Sequence, residues 1–269
     1  MRGASRASYS ELRDKLGGVA VGPATSEQIG DQLFAVVRLL DSEHGLRRAL
    51  ADPTKPSAEK AAVTRRLLQG RVSEATEGLV ADAAAARWAS SGDFADALEQ
   101  LAIEALTMAA QYGGTLDDLE DDLFRFGRLV SAQTGLRAAL IGQTTPDAKA
   151  SLLANLLTDK VSGPSLSLIT QVLTHPRGRS PQAVLDLAAS IAARRREQLI
   201  AVVRVATELS AAQRQRLLET LTAAYGQGIH LNVVHDPAVI GGVSVQIGDE
   251  LIDGSAASRL AEVRRRLAG

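Results

Sequence analysis

"VIGGVSVQIGDELIDGSAASRL", residues 239–260, breaks with the chain that leads to it. Val243, Val245 and Ile247 alternate with Ser244 and Gln246, the period of a strand with one covered face. Gly248-Asp249 fits a tight hairpin turn, and Leu251-Ile252 starts the return strand. Gly254-Ser255 ends that strand and caps a last helix, whose stripe is Leu260, Val263 and Leu267. Working backwards, Ile229, Leu231 and Val233 alternate with His230 and Asn232. Before them, Ser210 and Gln213 form a capping box that opens a helix with Leu217, Leu218, Leu221 and Tyr225 on one face. Val203 and Val205 flank Arg204 in a first strand. Residues 199–269 therefore read as a small mixed α/β unit with a β-hairpin.

Everything before residue 199 reads as helix, and it repeats. Residues 33–67, "LFAVVRLLDSEHGLRRALADPTKPSAEKAAVTRRL", align without a gap on 123–157, "LFRFGRLVSAQTGLRAALIGQTTPDAKASLLANLL". The identities include Phe34/Phe124, Arg38/Arg128, Gly45/Gly135, Arg47/Arg137 and Pro56/Pro146. After a one-residue slip the match continues at Val72/Val161, Ser73/Ser162, Leu79/Leu168 and Leu98/Leu187. The period is far longer than a solenoid repeat, so it marks a duplicated domain. Ile29, Leu33, Val36 and Leu40 form an apolar stripe, matched by Leu119, Leu123, Phe126 and Val130. Gly45 and Gly135 mark expected helix breaks, and Ser57 and Asp147 are expected N-caps. Further helices are expected over 5–16, 74–88, 93–112, 164–173 and 182–198. The fold class is mainly α with a small α+β end: helical bundles over 1–106 and 107–198, then a mixed α/β domain over 199–269.

Composition narrows function. Hydrophobic residues make up 45% and aromatics 3%, so the core is built from aliphatic side chains. The 30 basic and 31 acidic residues nearly cancel, which argues against a nucleic-acid binder. The absence of cysteine removes disulfides, thiolate metal sites and Cys nucleophiles. No apolar run approaches the roughly 20 residues that cross a bilayer, and the polar, charged N-terminus does not read as a signal peptide.

No constellation points to catalysis, a metal or a cofactor. His44, His175, His230 and His235 lack the i, i+4 spacing of a helical zinc pair. Around Ser244, "GVSVQ" has Gln246 where a nucleophile elbow needs Gly. "DDLEDD", Asp117–Asp122, lacks the Gly and closing Glu of a calcium loop and suits the positive end of a helix. The runs Arg194–Arg196 and Arg264–Arg266 sit in last turns, as solvated cations do. Trp88 and Tyr112 are rare aromatics near helix ends, suited to core packing or to anchoring a partner. What remains is a set of helical bundles with an α/β end, a construction for binding other proteins.

The ordered pattern of Ile240, Gly241, Gly242, Val245, Ile247, Gly248, Asp249, Ile252, Asp253, Gly254, Ser255, Arg259 and Leu260 resembles the C-terminal motif of the ATP synthase delta family, whose mitochondrial counterpart is the oligomycin-sensitivity conferral protein. Upstream, "GLRRALADPTKPSAEKAAVTRRLL" is similar to the middle of that family's N-terminal six-helix bundle, and Arg6–Tyr9 to its first helix. The usual member has one such bundle, whereas this chain carries two. The resemblance implies a non-catalytic stator subunit at the cytoplasmic face of a bacterial membrane. Its bundle grips the N-terminal helix of an α subunit between the first and fifth helices, and its C-terminal part holds the end of the b-subunit stalk. On this chain those helices map to 5–16 and 74–88, with Tyr9, Leu12, Leu79 and Trp88 as candidate contacts, and again to about 105–112 and 164–173. The resemblance implies no catalytic residue, cofactor, metal, nucleic acid or membrane insertion. In the motif, the four glycines serve backbone geometry, Asp249 the hairpin, and Asp253 and Ser255 a turn and cap. The alternatives are a generic helical adaptor unrelated to this family and an enzyme with Ser244 or His235 in a cleft.

Overall fold

A computed structural model describes residues 3–142, 145–196, 199–207, 209–225, 229–236, 242–247 and 250–253. Two compact units, residues 1–194 and 195–269, each have their own core.

The first unit runs α1 (Ala4–Val19), α2 (Pro23–Ser42), α3 (His44–Ala51), α4 (Ser57–Leu68), α5 (Glu74–Ala85) and α6 (Ser91–Tyr112). The second repeat follows as α7 (Leu116–Ala132), α8 (Thr134–Ile141), α9 (Pro146–Leu157), α10 (Gly163–Thr174) and α11 (Pro181–Arg196). The division expected at 106/107 falls inside α6. That helix is buried from Phe94 to Ala110 almost without interruption, apart from its half-buried Asp96 and Gln100. A helix apolar nearly all round belongs to the middle of a core, so both repeats share one hydrophobic interior through it.

The stripes expected on α2 and α7 are buried as read, with Ile29, Leu33, Leu119 and Leu123 at 1% exposure or less. Other local details differ. Neither Gly45 nor Gly135 makes the break: both lie inside short helices, and the chain turns at Glu43 and Gln133, with φ near −105° in each. Ser57 opens α4 without capping it. In the second copy Thr145, not Asp147, is the N-cap, its side chain accepting from the Ala148 amide. Thr145 precedes Pro146 at the first helical position, where a missing N–H costs nothing. Buried Lys60, Thr64 and Leu68 on α4 match Lys149, Leu153 and Leu157 on α9, an offset of 89. The slip therefore lies in the loop before α4, not after Leu67.

In the second unit, β1 (Leu199–Val205) pairs parallel with β2 (Ile229–His235) across α12 (Ala211–Tyr225). β1 also pairs antiparallel with β3 (Val243–Ile247), and β3 with β4 (Glu250–Asp253). The order is β2-β1-β3-β4. Ala201, Val203, Val205, Leu231, Val245 and Ile247 supply one buried face, against which Leu217, Leu218 and Tyr225 of α12 pack around buried Leu221. The capping box forms: the Ser210 amide donates to Gln213 Oε1 at 2.9 Å, and the Gln213 amide to Ser210 Oγ at 3.3 Å.

Candidate docking surfaces

A groove of about 240 Å³ runs between α1 and α5, with Ser8, Glu11 and Lys15 on one wall and Asp82, Ala85 and Ala86 on the other. Two serines of α1 bond the chain that follows α5. The Ala89 amide donates to Ser5 Oγ at 2.9 Å, and Ser8 Oγ donates to the Arg87 carbonyl at 2.8 Å. Lys15 spans the groove to Asp82 at 2.8 Å and reaches Glu11 at 3.5 Å. The hydrogen bond to Asp82 holds the Lys15 ammonium above its ordinary pKa, against a smaller effect of burial. The groove thus has a small-residue floor and a charged, solvated rim.

The four candidate contacts take different places. Leu12 lines the groove but is 2% exposed. Leu79 and Trp88 lie in the core behind it, and Trp88 Nε1 donates to the Ala83 carbonyl at 2.7 Å. The Trp88 ring sits 5.9 Å from that of Phe94. The Leu79 and Trp88 side chains are 3% and 5% exposed in this chain. Tyr9 is half-buried, its hydroxyl 3.5 Å from Glu104 Oε1. Burial, reinforced by the Glu104 carboxylate, raises its pKa, so the phenol stays protonated. It lines a separate basic cavity with Arg6, Arg13 and Arg194.

The second copy treats the equivalent place differently. Gln171 occupies on α10 the position of Asp82 on α5. It is engaged from within the chain: Arg38 Nη1 of α2 donates to its Oε1 at 2.8 Å, and its Nε2 donates to Asp31 at 3.3 Å. Next to this contact Arg177 binds Asp41 and Asp96, each at 2.7 Å, and buried Glu99 at 3.0 Å; Arg179 also pairs with Glu99. Sequence reading missed this ionic cluster, because its members are separated by up to 136 residues.

The remaining expectations fall as follows. Asp117 and Asp118 occupy the first turn of α7, while Asp122 is buried and accepts from the Ser162 amide at 3.1 Å. His44 is exposed and His175 caps the C-terminus of α10. Arg194 is exposed, but Arg195 is 5% exposed, unlike the solvated run expected there. Tyr112 packs half-buried on the core. Gly242 adopts φ 80°, a conformation that favours glycine. Ile247 pairs with Glu250, the spacing of a two-residue hairpin. Gly241, Gly248, Asp249, Gly254, Ser255, Arg264–Arg266 and the expected last helix lie outside the described residues, as do the side chains of His230, His235 and Asp253. No cluster with the makings of a metal site occurs among the described residues, and none of their helices is long and apolar enough to cross a membrane.

Comparison with known proteins agrees with the construction. The ATP synthase delta (OSCP) subunit family model matches residues 103–267, which begins inside α6 and leaves the first repeat outside. ATP synthase subunit delta of Thermobifida fusca is 45% identical over the whole of both chains. That of Streptomyces griseus is 44% identical over the whole of both. A chain of the Toxoplasma gondii mitochondrial ATP synthase hexamer is similar at 16% identity and a TM-score of 0.30, covering 62% of this chain and 95% of its own length. Full-length relatives at this identity and a family match that takes in the second repeat and the α/β end place the chain in the ATP synthase delta (OSCP) family, as a non-catalytic peripheral-stalk subunit of the ATP synthase complex.

Proposed function

We propose that the chain ties the catalytic head to the stalk by holding one N-terminal helix of an α subunit in the α1–α5 groove, while its C-terminal α/β unit holds the end of the b subunit. Held this way at the cytoplasmic face of the membrane, the head does not turn with the rotor, and torque reaches the nucleotide sites. The two repeats are two copies of one domain with divided duties. The observation that carries this is the state of the two equivalent grooves. The first, between α1 and α5, is bridged only at its rim, by the exposed Lys15–Asp82 pair of its own two walls. In the second, Gln171 is already bonded to Arg38 and Asp31 of α2. A helix laid in the first groove meets small residues below and Lys15, Glu11 and Asp82 at the rim, the arrangement of helix-in-groove recognition.

Because the repeats share a core, the test uses the full chain. An α-subunit N-terminal peptide should bind with a stoichiometry of one. Ala85→Trp, which fills the groove, should weaken it at least tenfold, and Thr170→Trp on α10 should not. Two peptides per chain, or indifference to Ala85→Trp, would overturn the reading. For the stalk, cross-links from exposed Leu251 on β4 should reach the C-terminal end of b; links to α alone would refute that half.

A further inference from the structure

The two repeats carry the same three residues on one face of α2 and of α7, and only the first set is bonded from α10. Asp31, Phe34 and Arg38 of α2 correspond to Asp121, Phe124 and Arg128 of α7, identical at an offset of 90 and spaced i, i+3, i+7. In the first copy two side chains of α10 reach this face. Ser167 Oγ and Gln171 Nε2 donate to Asp31 at 3.4 and 3.3 Å, and Gln171 Oε1 accepts from Arg38 at 2.8 Å. Phe34, between the two polar ends, is 4% exposed. In the second copy all three positions are exposed, and Phe124 reaches 63%. Arg128 lies over the Phe124 ring at 5.9 Å, with no carboxylate or amide to receive it among the described residues. Beside them a cleft of about 430 Å³ opens between α7 and α11, lined by Phe124, Gly127, Leu185 and Ala189.

From this we infer that the Asp121–Phe124–Arg128 face of α7 docks a helix of another subunit of the complex, one that presents a hydroxyl and a carboxamide four residues apart as α10 does with Ser167 and Gln171. The occupied copy supplies the chemistry. An amide can accept from the guanidinium and donate to the carboxylate at once. Asp121 already has Arg125 at 3.6 Å, but a purely apolar helix would leave Arg128 dry and unpaired, and an acidic one would repel Asp121.

The chain has no cysteine, so a single thiol reports this face cleanly. Phe124→Cys should react with a maleimide readily in the free subunit and at least tenfold more slowly in the assembled ATP synthase. Lys160→Cys, exposed on the turn after α9, should change by no more than about threefold. Asp121→Cys reads the same face with Phe124 retained and should show the same protection. A photo-cross-linker on either thiol should map to a helix of a different subunit bearing a Ser or Thr and a Gln or Asn at i and i+4. Unchanged reactivity in the complex would overturn the inference. So would protection already present in the free subunit, or a cross-link to a second copy of this chain or to a non-helical segment.

Discussion

The two repeats close the same corner with opposite physics. Between α5 and α6 the first copy places Trp88, which turns into the core against Phe94 and bonds the Ala83 carbonyl. Between α10 and α11 the second copy places Arg177 at the corresponding position, in a left-handed conformation with φ 54°. Its guanidinium reaches out of its own repeat to Asp41, Asp96 and Glu99 of the first. Burial weighs against that charge, and the three carboxylates more than offset it, raising its pKa. One copy is closed by its own hydrophobic residue; the other is closed by being moored to its neighbour. The lesson is that duplication kept the helical frame and changed what the corners are for.

The largest effect should fall on the apolar corner. Trp88→Ala removes a buried ring and leaves a cavity, so chemical denaturation should show a loss of about 3–5 kcal/mol, insensitive to salt. Arg177→Ala should cost about 3 kcal/mol, because it strips buried Glu99 of one of two partners. Replacing Arg177 together with Glu99 by Met should recover much of that loss, since the buried carboxylate is gone and the Arg179 and Asp96 left behind, 30% and 47% exposed, stay solvated. Equal losses in the single and double variants would mean the corner is held by packing and not by ions.

Next comes the helix crossing. A methyl at Gly30 would stand 2.8 Å from Leu106 and 3.2 Å from the Ala102 carbonyl. Gly30→Ala should therefore cost about 1–3 kcal/mol. In the second copy Gly127 has only the end of Gln182 nearby, at 3.5 Å. Gly127→Ala should be close to neutral, and the two melting curves side by side test whether the first crossing is the tighter one. Smaller still is the rim of the α1–α5 groove. Lys15 and Asp82 are 44% and 36% exposed, so Lys15→Ala should change stability by no more than about 0.5 kcal/mol while altering the salt dependence of peptide binding.

Helices and strands were legible because their periods are local: the stripes of α2 and α7 and the alternation of β3 each sit within one element. The family was legible because its motif is a run of backbone-geometry residues in fixed order. What escaped was everything that joins the repeats. Arg177 and Asp41, or Gln171 and Arg38, share no local pattern. Their pairing depends on α6 serving both copies, which a 90-residue period conceals by suggesting two separate bundles. The Asp121–Phe124–Arg128 face was half visible, since Phe124 and Arg128 already stood among the repeat identities. Only the bonding of one set from α10 and the exposure of the other gives the identity a meaning.

The smallest expected effect concerns the two C-caps. α5 ends at Ala86, whose carbonyl receives the buried Lys60 ammonium at 3.4 Å. α10 ends at His175, and Lys149 occupies the place of Lys60. Burial, then Arg38, holds the His175 pKa below its ordinary 6.5; Lys149 adds to this, while Asp41 and Asp147 oppose it. The folded chain thus binds fewer protons here than the unfolded chain just below pH 6.5. The sign follows: the neutral imidazole costs the fold nothing above that pH, and stability falls as the pH drops from about 6.5 toward the depressed value. Ala86 has nothing to titrate, so the first copy lacks this sensitivity. Denaturation midpoints at pH 7.5 and 5.5 should fall more for the unaltered chain than for His175→Gln. Equal falls would place the acid sensitivity elsewhere and leave the two caps alike.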